Sequence, residues 1–515
     1  MRIGTNVAAI VANNALQKSQ NNLSTSIERL SSGYKINGSK DDAAGCAISE
    51  KMRAQIRGLS QAQNNTADGV SVLNTAEGAI TEIQSMLTRL KELSVQAAND
   101  VNSDDEREAI QKEIEQINHE SERISHQTEF NTQSLINGNL SRRVYSDLQG
   151  VNQLSVSDSY TAGVYGITVT EDARQAIAVG AGSITMSSTA SITEEQAGAI
   201  NINGYKISIS EGDTLDKVMG KIIDGVNITG GSAFTVKDLN NDTAANGTDY
   251  AGYVPTADYA GSTLVIMTNQ YGSDQKMNIT CDNAELADIL GIPQAATRDG
   301  IYVEGSDVKA EMARGDDGKR IGFADSAILS TKGTVITVTD VNNKEFSMDV
   351  PGNAAGTVFD DSNNDGQSAA GAGTARTISQ EVTDVGTMSI HVGANQDQVI
   401  VIDIPAITTY SLGTEHMNVM TQYTASRAIS TVDEAINKTN KIRSRIGAYE
   451  NRFDHTTNNL EVSSENLTKS LSTMIDTDMS EEMTTYTSET VLTQAATSIL
   501  AQANERPSQV LQLLQ

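Results

Sequence analysis

Tryptophan is absent from this chain, and Phe and Tyr together make up only 4% of it. Five prolines occur in 515 residues, none before Pro255. A chain with so few large rings and prolines unfolds and threads easily, which is compatible with export in an extended state. The two cysteines, Cys46 and Cys281, lie far apart in sequence, so there is no disulfide framework and no CxxC metal site. Both read as packing residues, Cys46 sitting among Ala44, Gly45 and Ala47 as suits a tight helix contact. Positive charge is scarce too: 37 Lys+Arg stand against 66 Asp+Glu, a net −29. That balance excludes a basic nucleic-acid surface and a cationic membrane-surface helix; its plainest effect is a surface kept from random clumping. No run of about eighteen apolar residues is present to span a bilayer as a helix. The opening MRIGTNVAAIVANNALQKSQ has a broken apolar run with Asn where a signal sequence would be apolar. Any export is therefore expected by a route without a cleavable signal.

Catalytic chemistry is equally thin. His119-Glu120 is followed by Arg123 where an HExxH site needs its second His, and no GxSxG, P-loop or Cys–His constellation occurs. The expectation is no enzyme and no cofactor. DSNNDG at 361–366 has part of an EF-hand spacing, but the twelfth position is Ala372. DLNNDTAANGTD at 238–249 lacks the sixth-position Gly, and both read as ordinary oxygen-rich turns. Ser and Thr are plentiful in the middle of the chain, but no sequence rule selects a glycosylation site there.

What is present is helical periodicity at both ends. Residues 1–139 and 413–515 carry apolar residues at three- and four-residue steps, while roughly 140–412 is rich in Gly, Thr, Ser, Asn and Asp with short alternating runs. Val70, Leu73, Ala76, Ile80, Ile83, Leu87, Leu90 and Ser94 form a seam for a second helix. The pattern breaks at NDVNSDDER, where Ser103 and Glu106 make a capping box for a new helix carrying Ile110, Ile114, Ile117 and Ile124. Near the other end, Ile429, Val432, Ile436, Ile442, Ile446, Tyr449 and Phe453 form a matching seam, extended by Leu460, Leu467, Leu471 and Met474. The two ends are expected to pair in a long bundle, with the middle zone at its far end. In the middle, ININGYKISISEGDTLDKVMGKIIDGVNITGGSAFTVKD reads strand, short helix, strand, with Asp213 or Thr214 as helix cap. STLVIMTNQYGSDQKMNI adds two strands turning at YGSD.

The outermost segments pose an energetic problem. Residues 1–30 carry Ile3, Val7, Ile10, Val11, Leu16, Leu23 and Ile27; residues 492–514 carry Leu492, Ile499, Leu500, Val510, Leu511, Leu513 and Leu514. Ordering a backbone costs about 1–2 kcal/mol per residue, more than one two-helix contact offsets. These ends are expected to be loose in a single copy and to order when neighbouring copies supply apolar surface. An ordinary coiled-coil homodimer is the alternative.

At the first end, NNLSTSIERLSSGYKINGSKDDAAGCAISEKMRAQIRGL, QAQNNTADGVSVLNTAEGAI, LTRLKELSVQAAND and ERISHQTEFNTQSLING carry a family resemblance. At the last, STVDEAINKTNKIRSRIGAYENRFDHTTNNL, SSENLTKSLSTMIDTDMSEE and SILAQANERPSQVLQLL carry the same one. Together they resemble bacterial flagellins. The resemblance implies a mainly α fold with a β-rich insertion: long N- and C-terminal helices in a coiled-coil bundle, plus α+β or β outer domains. It implies an inner-tube helix and spoke at 1–42, with SSGYKINGSKDD the spoke, and the first part of the outer-tube bundle at 43–139. A variable surface insertion follows at 140–385, with a small α+β domain at 195–292, then a β-hairpin at 386–412. The rest of the outer-tube bundle is 413–459, and the C-terminal inner-tube helix is 460–515. Two departures from the family pattern stand out: the GAN-type piece SIHVGANQDQVIVIDI lies at 389–404, after the insertion, and Cys46 stands where Gln is more typical.

By the same resemblance the chain is a subunit of the flagellar filament, located outside the cell and serving motility. Its partners are other copies of itself, flagellar cap and hook-junction proteins, and an export chaperone at the C-terminal helix. Arg89, Leu93, Gln96 and Glu113 correspond to a surface read by the innate-immune Toll-like receptor five; subunit packing is the other reading of the same residues. Self-assembly would rest on Ile3, Val7, Ile10, Leu16, Leu23, Ile27, Leu500, Val510, Leu511, Leu513 and Leu514. The rival reading is a secreted adhesin or hook–filament junction protein sharing the helical ends. Deleting residues 1–30 is expected to leave a soluble, folded chain that forms no tubes when seeded with filament fragments, as scored by electron microscopy; tubes of normal length would refute this account of the ends.

Overall fold

The computed structural model describes residues 6–513 except 158–159, 181, 237–258, 260, 293–299, 316–317, 341–343, 353–358, 361–368, 371–374 and 384. Ile3, Leu514 and the turns at 361–366 and 238–249 fall outside the described residues, as do the side chains of Val510, Leu511 and Leu513. The chain forms two compact units, one of residues 1–70, 390–400 and 451–515, the other of 71–389 and 401–450.

In the first unit, helix α1 (Val7–Ser32) starts at Asn6, whose side chain accepts from the Ala9 amide at 3.1 Å. It stops at Gly33, left-handed at φ +75, whose amide returns to the Arg29 carbonyl. The polar segment that follows is organised by its aspartates. Asp41 accepts from the amides of Asn37 and Gly38, and Asp42 from those of Ala44 and Gly45, opening helix α2 (Ala43–Ala97). The C-terminal side breaks at the same level, between α7 (Gln422–Ile475) and α8 (Met479–Leu513). The two breaks are tied together: the Lys35 amide donates to the Ile475 carbonyl at 2.7 Å, and the Thr477 amide to the Gly33 carbonyl at 3.0 Å. Beyond them α2 and α7 bury Leu59, Ala62 and Leu460 against each other. Gly69 has a packing reason: a Cβ there would stand 3.0 Å from the Phe453 ring.

In the second unit the rest of α2 and α7 run antiparallel, as the polar contacts show. Arg443 donates to Glu77 at 2.6 Å and to Gln84 at 2.7 Å, and Lys91 reaches Asp433 at 2.6 Å. At the centre of the seam Leu73, Ile80, Ile83, Leu87 and Leu90 are at most 1% exposed, as is Leu93 beside them, while Ile429 and Ile436 are half-buried. Helix α3 (Asp104–Gln127) begins with the expected capping box between Ser103 and Glu106. It ends in a hairpin of two-residue strands whose turn holds Asn131 and Thr132 at φ 49 and 67. A hairpin of Met388–His391 and Val399–Ile402 carries the GAN-type motif in its loop.

Among the described residues the middle zone holds two large hydrophobic cores, in modules of which one is inserted into the chain of the other, and a small third cluster of Ile177, Phe234, Val265 and Met267. The first lies between two antiparallel four-stranded sheets. One takes the order Lys309–Met312, Gly163–Glu171, Arg376–Val382, Val144–Ser146; the other takes Ile328–Lys332, Val335–Thr339, Glu345–Asp349, Asn152–Val156. In a chain so poor in rings, four of them gather here: Tyr160, Tyr165, Phe323 and Phe346, with centroids 5.1–6.2 Å apart. The chain leaves this sandwich after Glu171 and returns at Lys309, two residues paired across adjacent strands. In between it builds an α+β module. Helix α4 (Leu215–Ile228) buries Leu215, Val218, Met219, Ile222 and Val226 against strands that include Gly198–Ile202, Tyr205–Ile209, Thr263–Thr268 and Lys276–Cys281, and two short helices, α5 (Ala284–Ile289) and α6 (Thr409–Leu412), precede α7 in the chain. The strand–helix–strand order read from the sequence is present. Entry and exit cross closely: a Cβ on Gly305 would sit 2.5 Å from the Arg174 carbonyl oxygen.

One local expectation is corrected. Thr214 occupies the cap position of α4 without a side-chain cap bond, and the Asp213 carboxylate is otherwise engaged. It accepts from the Ser210 amide and pairs with Lys217 at 2.8 Å and Lys221 at 2.6 Å. Two ammonium groups outcompete a neutral amide for a carboxylate. Those lysines hold the Asp213 carboxyl well below the usual carboxylate range. Its contribution to stability is therefore present above about pH 4 and lost as pH falls toward the depressed value. Asp213→Asn is expected to lower the thermal midpoint at pH 7, with the gap to wild type narrowing in strong acid. Phe346→Ala should cost about 3–5 kcal/mol in urea titrations followed by tyrosine fluorescence, while helical circular dichroism persists through that transition.

Candidate assembly and recognition surfaces

Helices α1 and α8 lie antiparallel with an interior unlike that of the α2–α7 bundle. The buried positions of α1 are Ala12, Ser19 and Ser26, seven residues apart. Facing them are Glu482, Glu489 and Ala503, also in heptad register. Ser26 Oγ donates to Glu482 and Ser19 Oγ to Glu489, each at 2.5 Å. Asn22 adds a bond to Glu489 at 2.9 Å, and the Arg29 guanidinium stands 3.7 Å from Glu482. Hydrogen bonds from Ser19 and Asn22 hold the Glu489 carboxyl below its ordinary value. At the far end the Asn6 amide donates to the Ala503 carbonyl at 2.8 Å.

This small, polar seam leaves the larger apolar side chains outside it. Val7 is 65% exposed, Ile10 53%, Val11 62% and Ile27 49%. On α8, Met479, Met483, Val491, Leu492 and Ile499 are about half exposed or more. Leu16, Leu23 and Leu500 are half-buried. Sequence reasoning selected the apolar residues of the two ends but missed the serine–glutamate seam. Its only trace is the seven-residue spacing of Ala12, Ser19 and Ser26 and of Glu482 and Glu489.

The second candidate surface lies on α2 and α3. Arg89 donates to Glu113 Oε1 through Nε at 3.1 Å and Nη2 at 2.9 Å, and to Glu92 at 3.1 Å. The hydrogen bond to Glu113, then that to Glu92, raises the Arg89 pKa above its ordinary value. Gln96 is exposed beside Val95, whereas Leu93 is 1% exposed in the bundle seam. The structure thus brings Arg89 and Glu113 together, leaves Gln96 outward, and turns Leu93 inward. His119 is followed by Glu120, which Arg123 holds at 2.8 Å, and no group of three or more His, Cys, Asp or Glu side chains placed to hold a metal occurs among the described residues. Cys281 is buried with its thiol pushed up by that burial, and Cys46 is half-buried. No described helix is long and apolar enough to cross a membrane.

Comparison with known proteins supplies a family context. Residues 3–141 match the bacterial flagellin N-terminal helical region, and residues 429–514 match the C-terminal helical region. The chain is 31% identical to the flagellin of Salmonella typhimurium, over 99% of each chain. It is 30% identical to polar flagellin A of Vibrio parahaemolyticus, over 100% of this chain and 99% of that one. Similarity to solved structures is weak; FliC from Burkholderia pseudomallei gives a TM-score of 0.22 at 14% identity, over 75% of this chain and 99% of that one.

The geometry of the α1–α8 seam leads to a direct test. Ser26→Ala removes a hydroxyl donor from a buried carboxylate, a loss of about 1–3 kcal/mol. Hydrogen exchange of the α1 amides should accelerate in this variant, while the α2–α7 amides keep wild-type rates.

Proposed function

The chain belongs to the bacterial flagellin family, non-enzymatic structural subunits of the flagellar filament outside the cell, and we propose that its copies polymerise through the outward apolar faces of α1 and α8. The observation that carries this reading is the contrast between the two seams. In the α2–α7 seam Leu73, Ile80, Ile83, Leu87, Leu90 and Leu93 are at most 1% exposed, although Ile48, Val95 and Val462 lie outside it and are about half exposed, whereas on α1 and α8 nine large apolar side chains are about half exposed or more. Full burial of such a side chain is worth about 1.5–3 kcal/mol. Covering those nine half-exposed groups is therefore worth on the order of 10 kcal/mol per copy, comparable to the stability of a whole domain. The α1–α8 pair does not cover them, because its interior is already filled by Ser19, Ser26, Glu482 and Glu489. Neighbouring copies supply that cover, and the terminal helices become fully ordered as they dock.

Contacts made by different faces of each copy generate an open helix rather than a closed ring. The net −29 opposes indiscriminate clumping, so association depends on the apolar stripes meeting in register. Cap and hook-junction proteins would meet the same stripes at the two ends of a filament. An export chaperone would cover the one on α8 before assembly, as a groove covers an amphipathic helix. A second reading concerns innate-immune recognition. Arg89, Glu113 and Gln96 offer a receptor a charged, exposed patch, with Leu93 fixing the helix beneath them.

Hydrogen exchange on dilute monomer and on assembled filament tests the first reading. Protection of α1 and α8 should rise on assembly, with α2–α7 little changed; terminal helices fully protected in the monomer would overturn it. For the second, Arg89→Ala monomer applied to cells reporting Toll-like receptor five activity should give a several-fold weaker response than wild type, and an equal response would count against that surface.

A further inference from the structure

A cleft of about 400 Å³ lies where the α+β module meets the start of α7. Its size falls within the range of small-ligand sites, roughly 300–1,000 Å³. In a chain with 66 acidic residues against 37 basic ones, none of the residues lining it is Asp or Glu. Arg427, Lys276 and His416 contribute to its wall, together with carboxamides that include Asn227, Asn269 and Gln270.

Among the described residues Arg427 has no carboxylate within ion-pair distance. Its hydrogen bond there is a long one, 3.5 Å to Gln270 Oε1, and its guanidinium carbon lies 6.0 Å from the centre of the Tyr423 ring. The other charges nearby are already matched. Lys276 is held by Glu304 at 2.7 Å, and Asp274 stands 3.4 Å from Lys332. Burial pulls Arg427 below the usual guanidinium value, an effect that Asp274 opposes from beyond ion-pair distance. Such a group gains more from a carboxylate than a hydrated one does, and its planar fork fits a carboxylate with two parallel hydrogen bonds. Around it, carboxamides offer donors and acceptors together, which matches hydroxyl groups better than a phosphate, whose oxygens only accept. The side chains of Asn227 and His416 make no hydrogen bond among the described residues.

We propose that this cleft binds a sugar acid, its carboxylate on Arg427 and its hydroxyls on the surrounding carboxamides. The cleft shares no residue with α1 or α8. It would give the subunit a saccharide-binding activity in addition to its structural one.

Isothermal titration of full-length monomer with D-galacturonate tests this, with galactose and acetate as separate arms. Galacturonate should saturate with a Kd in roughly the millimolar range. Galactose, lacking the carboxylate, and acetate, lacking the hydroxyls, should each bind at least about tenfold more weakly. Arg427→Gln should weaken galacturonate at least about tenfold. Should that variant fail to fold, Asn227→Asp decides: it alters an exposed side chain isosterically and places a carboxylate in the cleft, so it should weaken galacturonate but not galactose. No saturation by galacturonate below about 50 mM, acetate binding as tightly as galacturonate, or unchanged affinity in Asn227→Asp would each overturn the proposal.

Discussion

The structure depends on the antiparallel pairing of the two chain ends. Leu73, Ile80, Ile83, Leu87 and Leu90 of α2 sit in a closed seam in which Arg443 spans Glu77 and Gln84 on the same helix pair. That seam needs no other molecule. The same chain ends then break together, α1 from α2 at Gly33 and α7 from α8 after Ile475, with backbone hydrogen bonds joining the two breaks. Past the breaks the logic inverts: the interior of the α1–α8 pair is serine, alanine and glutamate, and the apolar side chains face out. One helical hairpin therefore completes its own core in one part and leaves it open in another. The open part is the one proposed above to meet neighbouring copies.

A second constraint governs the middle of the chain. An insertion of more than two hundred residues disturbs its host least when entry and exit lie side by side, because the host then closes only a short gap. The chain uses that device twice. Val144–Ser146 pairs with Gln380–Val382, so the β sandwich begins and ends on neighbouring strands. Glu171 pairs with Lys309, so the α+β module leaves and re-enters the sandwich in the same way. Each module then carries its own core, the aromatic cluster around Phe346 in one and the α4 face in the other. The acid-free cleft beside Arg427 lies where the inner module meets α7, a place that neither core occupies.

Charge ties these parts together. A net −29 would drive copies apart, so polymerisation through the apolar stripes of the terminal helices, as proposed above, would have to outweigh that repulsion. Within the chain many cations are spent on carboxylates: Lys217 and Lys221 on Asp213, Arg89 on Glu113, Lys91 on Asp433. Arg427 instead lines a cleft, with a carboxamide as its hydrogen-bond partner.

The sequence by itself determined the helical ends, their seams, the capping box at Ser103 and the strand–helix–strand order around α4. These are local: period, cap chemistry and turn residues act over a few positions and leave their mark in the order of residues. It also determined the family, through motifs spread over both ends. Tertiary structure alone decided that Leu93 faces the bundle while Arg89 and Gln96 face out, since a step of three or four residues tells which positions share a stripe but not which stripe is covered. It alone decided that Ser19 and Ser26 meet Glu489 and Glu482, that Asp213 takes two lysines in place of a cap, and that residues near 203, 270, 416 and 427 wall one cleft. Those contacts join positions tens to hundreds of residues apart, and distance along the chain carries no record of which of them the fold will bring together.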